Sequence, residues 1–126
     1  MPKAISKLKR SIALVLCFYT VITFAGDDRY KDYDDEHLQY GKTIWLNTCE
    51  GCHAWGVADA PIPMNYEEWE HRIAKGKATL YQHAIEGFFG PDDSMMPERG
   101  GNAALTDDEV KAAVDYMVEL AISHKN

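Results

Sequence analysis

Apolar residues recur at helical spacing in several stretches of the chain. Leu38, Gly41, Ile44, Trp45 and Thr48 follow one another every three or four positions, which predicts an amphipathic helix over residues 36–48. Val110, Ala113, Val114, Met117, Val118 and Ala121 form a second stripe, with Tyr116 at its edge. In front of it, Thr106-Asp107-Asp108-Glu109 is a capping box with acids in the first turn, so a helix opens there and runs to about Ser123. Gly41 leaves the first helix bare enough for that last one to come close. Between them, Asn65 is placed to cap a short helix over residues 67–75 with Trp69 and Ile73 inward. Leu80, Ala84 and Ile85 mark another, stopped by Gly87. No alternating strand run and no internal repeat accompanies them, so the expected fold is all-α.

Residues 11–25 follow a different pattern, an almost uncharged run behind Lys3, Lys7, Lys9 and Arg10. A basic start, an apolar centre and a Thr23-Phe24-Ala25 exit read as a secretory signal peptide, because spanning a bilayer takes roughly 20 apolar residues. Cleavage near Ala25 or Gly26 removes Cys17, and Leu16 before that cysteine argues against lipidation. The expected organisation is a leader over residues 1–25, an acidic, partly disordered segment over 26–36 and one domain over 37–126. Total length is 126 residues, with 46% hydrophobic and 26% charged, which suits a single small core. Residues 26–126 carry nine Lys and Arg against twenty Asp and Glu, a formal charge of −11. Nucleic acid and anionic lipid are poor partners for such a surface, and a basic protein surface is a suitable one.

Two cysteines then remain, in Cys49-Glu50-Gly51-Cys52-His53. Two cysteines in an exported chain could form a disulfide, and C-x-x-C also serves thioredoxin-like oxidoreductases and zinc sites. The histidine directly after the second cysteine separates these readings, since C-x-x-C-H is the attachment sequence for c-type haem. On one turn of backbone two thiols reach the two vinyl groups of one porphyrin, and the next side chain points at the iron. Zinc would need two further ligands, whereas His37, His71, His83 and His124 are scattered and read as surface residues. The βαβ pattern of a thioredoxin-like domain is missing.

The residue on the other side of the iron decides between electron transfer and ligand chemistry. Met64, Met95, Met96 and Met117 are available, and Met117 belongs to the last helical stripe. Met96 lies in Ser94-Met95-Met96-Pro97-Glu98-Arg99-Gly100-Gly101, where proline and paired glycines exclude regular structure. It reads either as an iron ligand or as a loop methionine that fills a gap. A bis-histidine site would put one of the scattered histidines in its place. Trp45, Trp55, Trp69, Tyr66 and Tyr81 read as core or haem-wall aromatics. Phe88 and Phe89 either pack over the haem or form a docking patch.

These motifs, taken in order, resemble the short monohaem class I cytochromes c of bacteria, most closely the cytochrome c-five type. The resemblance runs from about Tyr40 to Leu120. It rests on Gly41-Lys42 ahead of Trp45, Thr48-Cys49 through His53, Gly56-Val57 with Ala60-Pro61, the Met-Pro turn with Gly100-Gly101, and Ala112 through Met117. It implies a class I cytochrome c fold of four to five helices around one covalent haem, with the first and last helices crossing. It also implies Cys49 and Cys52 as thioether attachments, His53 as proximal ligand, Met96 as distal ligand, and the Pro61 carbonyl as acceptor for the His53 ring. The chain departs from the family in inserting residues 87–95, in Glu98 where a second proline is usual, and in Pro63. The expected role is a monomeric, periplasmic electron carrier between redox proteins, with no substrate changed by the polypeptide. A haem subunit of a dehydrogenase or oxidase complex and a gas-binding sensor are the alternatives.

Overall fold

Asp35 opens the first helix, its carboxylate accepting from the Leu38 amide at 2.9 Å and satisfying one free N–H at the start of α1 (Glu36–Ile44). In the computed structural model, which describes residues 29–91 and 93–126, the helix does not stay regular to residue 48. From Trp45 to Cys49 the chain winds as a wider π turn, followed by the short α2 (Glu50–His53). A 3-10 turn over Val57–Asp59 leads to α3 (Tyr66–Ile73) and α4 (Lys77–Glu86). A two-residue antiparallel ladder of β1 (Phe88–Phe89) and β2 (Met95–Met96), a 3-10 turn over Glu98–Gly101 and α5 (Asp107–Ser123) complete the chain. The expected leader, residues 26–28 of the expected acidic segment and Asp92 lie outside the described residues.

Packing is organised by the crossing of α1 and α5. A Cβ on Gly41 would sit 2.1 Å from the Ala112 carbonyl oxygen, so only glycine lets the two backbones meet. Trp45, Tyr116 and Leu120 are fully buried around that point, with the Trp45 and Tyr116 rings 6.4 Å apart. Tyr116 was expected at the edge of its stripe. It lies in the centre instead, because its hydroxyl reaches the Lys31 carbonyl at 3.1 Å and lets the whole ring be covered. The capping box of α5 is complete, with Thr106 and Glu109 each bonding the other's backbone.

Residues 29–33, expected as part of a solvated lead-in, are strapped to this core. Tyr30 is 2% exposed and meets Trp45 edge-on at 5.6 Å. Lys42 is 7% exposed, and its ammonium donates to the Tyr30 carbonyl at 2.7 Å and to Asp32 at 2.6 Å. A buried lysine needs such partners, since an unpaired charge in the core costs several kcal/mol, on the order of 3–5. Asp34, Asp35 and Glu36 remain exposed.

Two other expectations change. Asn65 precedes α3 as its N-cap residue, but its side chain makes no cap bond; it donates to Glu68 at 2.8 Å, and Glu68 in turn accepts from the Ile62 amide. The insertion after α4 contains the short ladder, too brief to leave an alternating pattern. Asp115 on α5 accepts from Tyr81 at 2.7 Å and Lys77 at 2.7 Å on α4, and meets the His37 ring on α1 at 2.8 Å. One carboxylate thus joins three helices.

Candidate functional site: the cysteine-histidine turn and the methionine loop

The π turn delivers Cys49 at its end and α2 carries Cys52 and His53, so the three side chains leave one short stretch of winding backbone. Both thiols are free; Cys49 is half-buried against the core and Cys52 is exposed. His53 is 7% exposed, and its Nδ1 lies 2.9 Å from the Pro61 carbonyl oxygen. A carbonyl can only accept, so Nδ1 carries the proton and donates, and Nε2 keeps its lone pair. Burial pushes the His53 ring below its ordinary pKa, and nearby Arg72 adds to this, while the Pro61 bond opposes it. The ring is therefore neutral at pH 7, the form that binds a metal. Burial and the neighbouring Cys52 push the Cys49 thiol up to about 12. Dithiol exchange depends on a thiolate of lowered pKa, and Cys49 has been moved the other way.

Local turns place Pro61. Gly56 is left-handed (φ 68°), the 3-10 turn follows, and the Ile62 amide is tied to Glu68. Pro63 is fully buried, an anchor for this loop within the fold.

The methionine loop comes from the other half of the chain. Gly87, at φ 85°, ends α4 where a Cβ would meet the Met96 carbonyl and the Glu98 amide at 3.0 Å. Met96 then packs against the core, whereas Met95 is 49% exposed. Beyond Pro97, Gly100 sits over Thr48, a Cβ there lying 3.1 Å from the threonine methyl. The loop is thus seated on the residue before Cys49. Arg99 braces it, donating to the Leu105 carbonyl at 3.0 Å and to Asp107 at 2.6 Å.

The remaining singled-out residues are elsewhere or differently disposed. Met64 and Met117 pack in the core, His37 serves Asp115, and His83 stacks on Phe88 at 4.1 Å. His71 and His124 are exposed. Among the described residues no cluster of three or more His, Cys, Asp or Glu side chains could hold a metal ion. Trp45 and Trp69 are core residues, Tyr66 and Tyr81 are half-buried, and Trp55 is 66% exposed beneath the Arg29 guanidinium. Sequence reasoning missed Glu50. Standing between the two cysteines, it accepts from the Tyr30 hydroxyl at 2.8 Å and pairs with Arg29 at 3.5 Å. Nothing in the local sequence signals this, because both partners lie some twenty positions earlier.

Buried and without an acceptor among the described groups are the indole nitrogens of Trp45 and Trp69. An unpaired buried donor costs about 1–3 kcal/mol, so the core has donors to offer a group that brings carboxylates. Paired thiols, a neutral imidazole with a free lone pair, a half-buried thioether and these donors all suit a porphyrin iron. Residues 38–121 match the family described as Cytochrome c. The chain belongs to the cytochrome c family. Like other members it carries one covalently attached c-type haem, and it is a haem-based electron-transfer protein. This cytochrome c is 37% identical to cytochrome c-555 of Prosthecochloris aestuarii over 90 residues, 69% of this chain and 91% of that one. Cytochrome c-555 of Chlorobaculum tepidum is 44% identical over 78 residues, 62% of this chain and 71% of the relative. Cytochrome c5 of Azotobacter vinelandii is 32% identical over 79 residues, 61% and 89% of the two chains. Among solved structures, a cytochrome c in an electron transfer complex with nitrite reductase superposes with a TM-score of 0.57 at 35% identity. That match covers 65% of this chain and 94% of the other.

Proposed function

We propose that this cytochrome c is a monomeric periplasmic carrier, exported by residues 1–25, whose domain over residues 37–126 also holds the acidic segment 26–36 through Tyr30 and Asp32. Cys49 and Cys52 would hold the haem through thioether bonds, His53 and Met96 would ligate its iron, and the Pro61 carbonyl orients the His53 ring. The observation that carries this reading is the His53 Nδ1–H bond to Pro61, which fixes the tautomer and leaves the Nε2 lone pair for a metal. Seating of the Met96 loop on Thr48 supports the same ligand pair. When bound, the haem would supply one-electron chemistry at its iron, and ligation by methionine together with histidine would raise its reduction potential. His53 keeps its lone pair free of protons at pH 7, Met96 excludes other ligands, and the core around Trp45 keeps water away. Redox proteins with basic docking surfaces are the partners that a formal charge of −11 attracts. The neighbour bound to nitrite reductase supports a carrier that works by docking on another redox protein.

Two measurements test this. Intact mass of the exported protein after acid-acetone extraction should include one haem and lack residues 1–25; colour lost to the solvent overturns covalent attachment. Carbon monoxide added to the reduced protein should leave its spectrum unchanged. A shift would mean an open sixth position and favour the gas-binding alternative.

A further inference from the structure

The insertion after α4 resolves the two adjacent phenylalanines into opposite roles. In the ladder, Phe88 pairs with Met96 and Phe89 with Met95. Directly opposed residues of an antiparallel pair share one face, and successive residues point to opposite faces. One face therefore holds Phe88, 39% exposed and stacked on His83, and Met96, packed against the core. The other holds Phe89, 82% exposed, and Met95, 49% exposed. A ligand reached by Met96 lies on the first face, so it does not cover the second.

The turn beyond this outward pair is closed by backbone hydrogen bonds, with Gly90 N–H donating to the Ser94 carbonyl at 2.8 Å and Ser94 N–H to the Pro91 carbonyl at 3.1 Å. The pair's rim is acidic, with exposed Glu86 before Gly87, exposed Asp93 in the turn and exposed Glu98 after Pro97. Arg99, the next basic residue along the chain, is engaged with Asp107 and the Leu105 carbonyl.

We propose that Phe89 and Met95 are the apolar centre of a docking surface, ringed by Glu86, Asp93 and Glu98, for a redox protein whose own apolar patch is rimmed by lysine or arginine. This rests on the reading of the chain as a carrier steered by charge. A small apolar centre with complementary charges at its rim suits a brief encounter, which buries less than about 1,200 Å² in total. The site lies one residue along the backbone from Met96, so a partner docked there approaches from the methionine side.

The test uses the holoprotein and gold electrodes coated with ammonium-terminated thiols, alone or mixed with methyl-terminated thiols, as stand-ins for a basic surface without and with an apolar patch. Phe89→Ser, at a side chain with almost nothing packed against it, should lower the interfacial electron-transfer rate on the mixed coating by about tenfold, as expected of an aromatic anchor at the centre of a small interface. Its rate on the ammonium coating, its visible spectrum and its reduction potential should match wild type. Equal rates for variant and wild type on the mixed coating would overturn the proposal. So would a wild-type dimer in sedimentation that Phe89→Ser dissociates, since the occupant would then be a second copy. A wild-type rate insensitive to salt on the ammonium coating, with the Phe89 effect intact, would overturn the charge-steered reading and the basic rim with it, leaving an apolar contact alone.

Discussion

Met95 and Met96 are chemically identical neighbours, and the ladder separates them: one is half in solvent and the other is packed against the core. Met96→Ala should open the iron, so that the reduced protein binds carbon monoxide and its reduction potential falls, because a thioether opposite histidine raises that potential. Met95→Ala should leave spectrum and potential as in wild type. Optical titration and voltammetry of both variants read this directly, and the larger change in Met95→Ala would reverse the assignment. At this scale the sequence was most informative where chemistry is local. Cys49 through His53 is contiguous, and Met96-Pro97 with Gly100-Gly101 is nearly so. Lys42, Tyr30 and Glu50 were opaque for the opposite reason. Their meaning comes from each other, across ten to twenty residues, and an isolated lysine on a helix reads as surface.

Helix against helix, the α1–α5 crossing and the Asp115 junction hold the elements that carry the site. Gly41→Ala drives a methyl group onto the Ala112 carbonyl, backbone that cannot swing aside, and should cost about 3 kcal/mol in guanidinium unfolding of the holoprotein, the upper end of ordinary overpacking. Asp115→Asn should cost about 2 kcal/mol, a modest loss for a buried carboxylate because Lys77 and His37 are half in water. The pH dependence follows from the carboxyl itself. Burial alone would raise the Asp115 pKa, but the bonds from Lys77, Tyr81 and His37 outweigh it and hold the group below the usual carboxylate range. A depressed folded pKa stabilises above the unfolded value, near 3.9, and that stabilisation is lost as pH falls through the folded one. The gap between wild type and Asp115→Asn should thus close as pH falls below about 4. Helices with strong end signals were legible in advance: the Thr106 capping box and the Gly87 stop both stand where expected. The π turn was not, since residues 45–49 keep ordinary helical spacing. Its wider winding reconciles a Gly41–Trp45 face fitted to α5 with a motif aimed by Pro61 and Thr48, and both constraints come from elsewhere in the fold.

For the molecule as a whole, the proposed steering by charge has a kinetic consequence. With a formal −11 on residues 26–126, the second-order rate with a basic redox protein should fall by about tenfold or more as ionic strength rises from 0.01 to 0.2 M, because the screening length contracts from about 30 Å to under 10 Å. Stopped-flow rates across that range check it, and a flat profile would reduce acidity to a matter of solubility. The meeting of α1 with α5 has a consequence in time. A chain made or exported from its first residue onward holds α1 without its partner until the last helix has emerged. During that interval the α1 face around Gly41 and Trp45 lacks the helix that covers it, and the core cannot close. A chain ending at Asn102 should accordingly lack the cooperative guanidinium unfolding of the full-length protein, as circular dichroism would show. The docking of α5 is then a clock as well as a brace: whatever is built on α1 waits for the last helix, and its arrival sets the moment at which the fold closes.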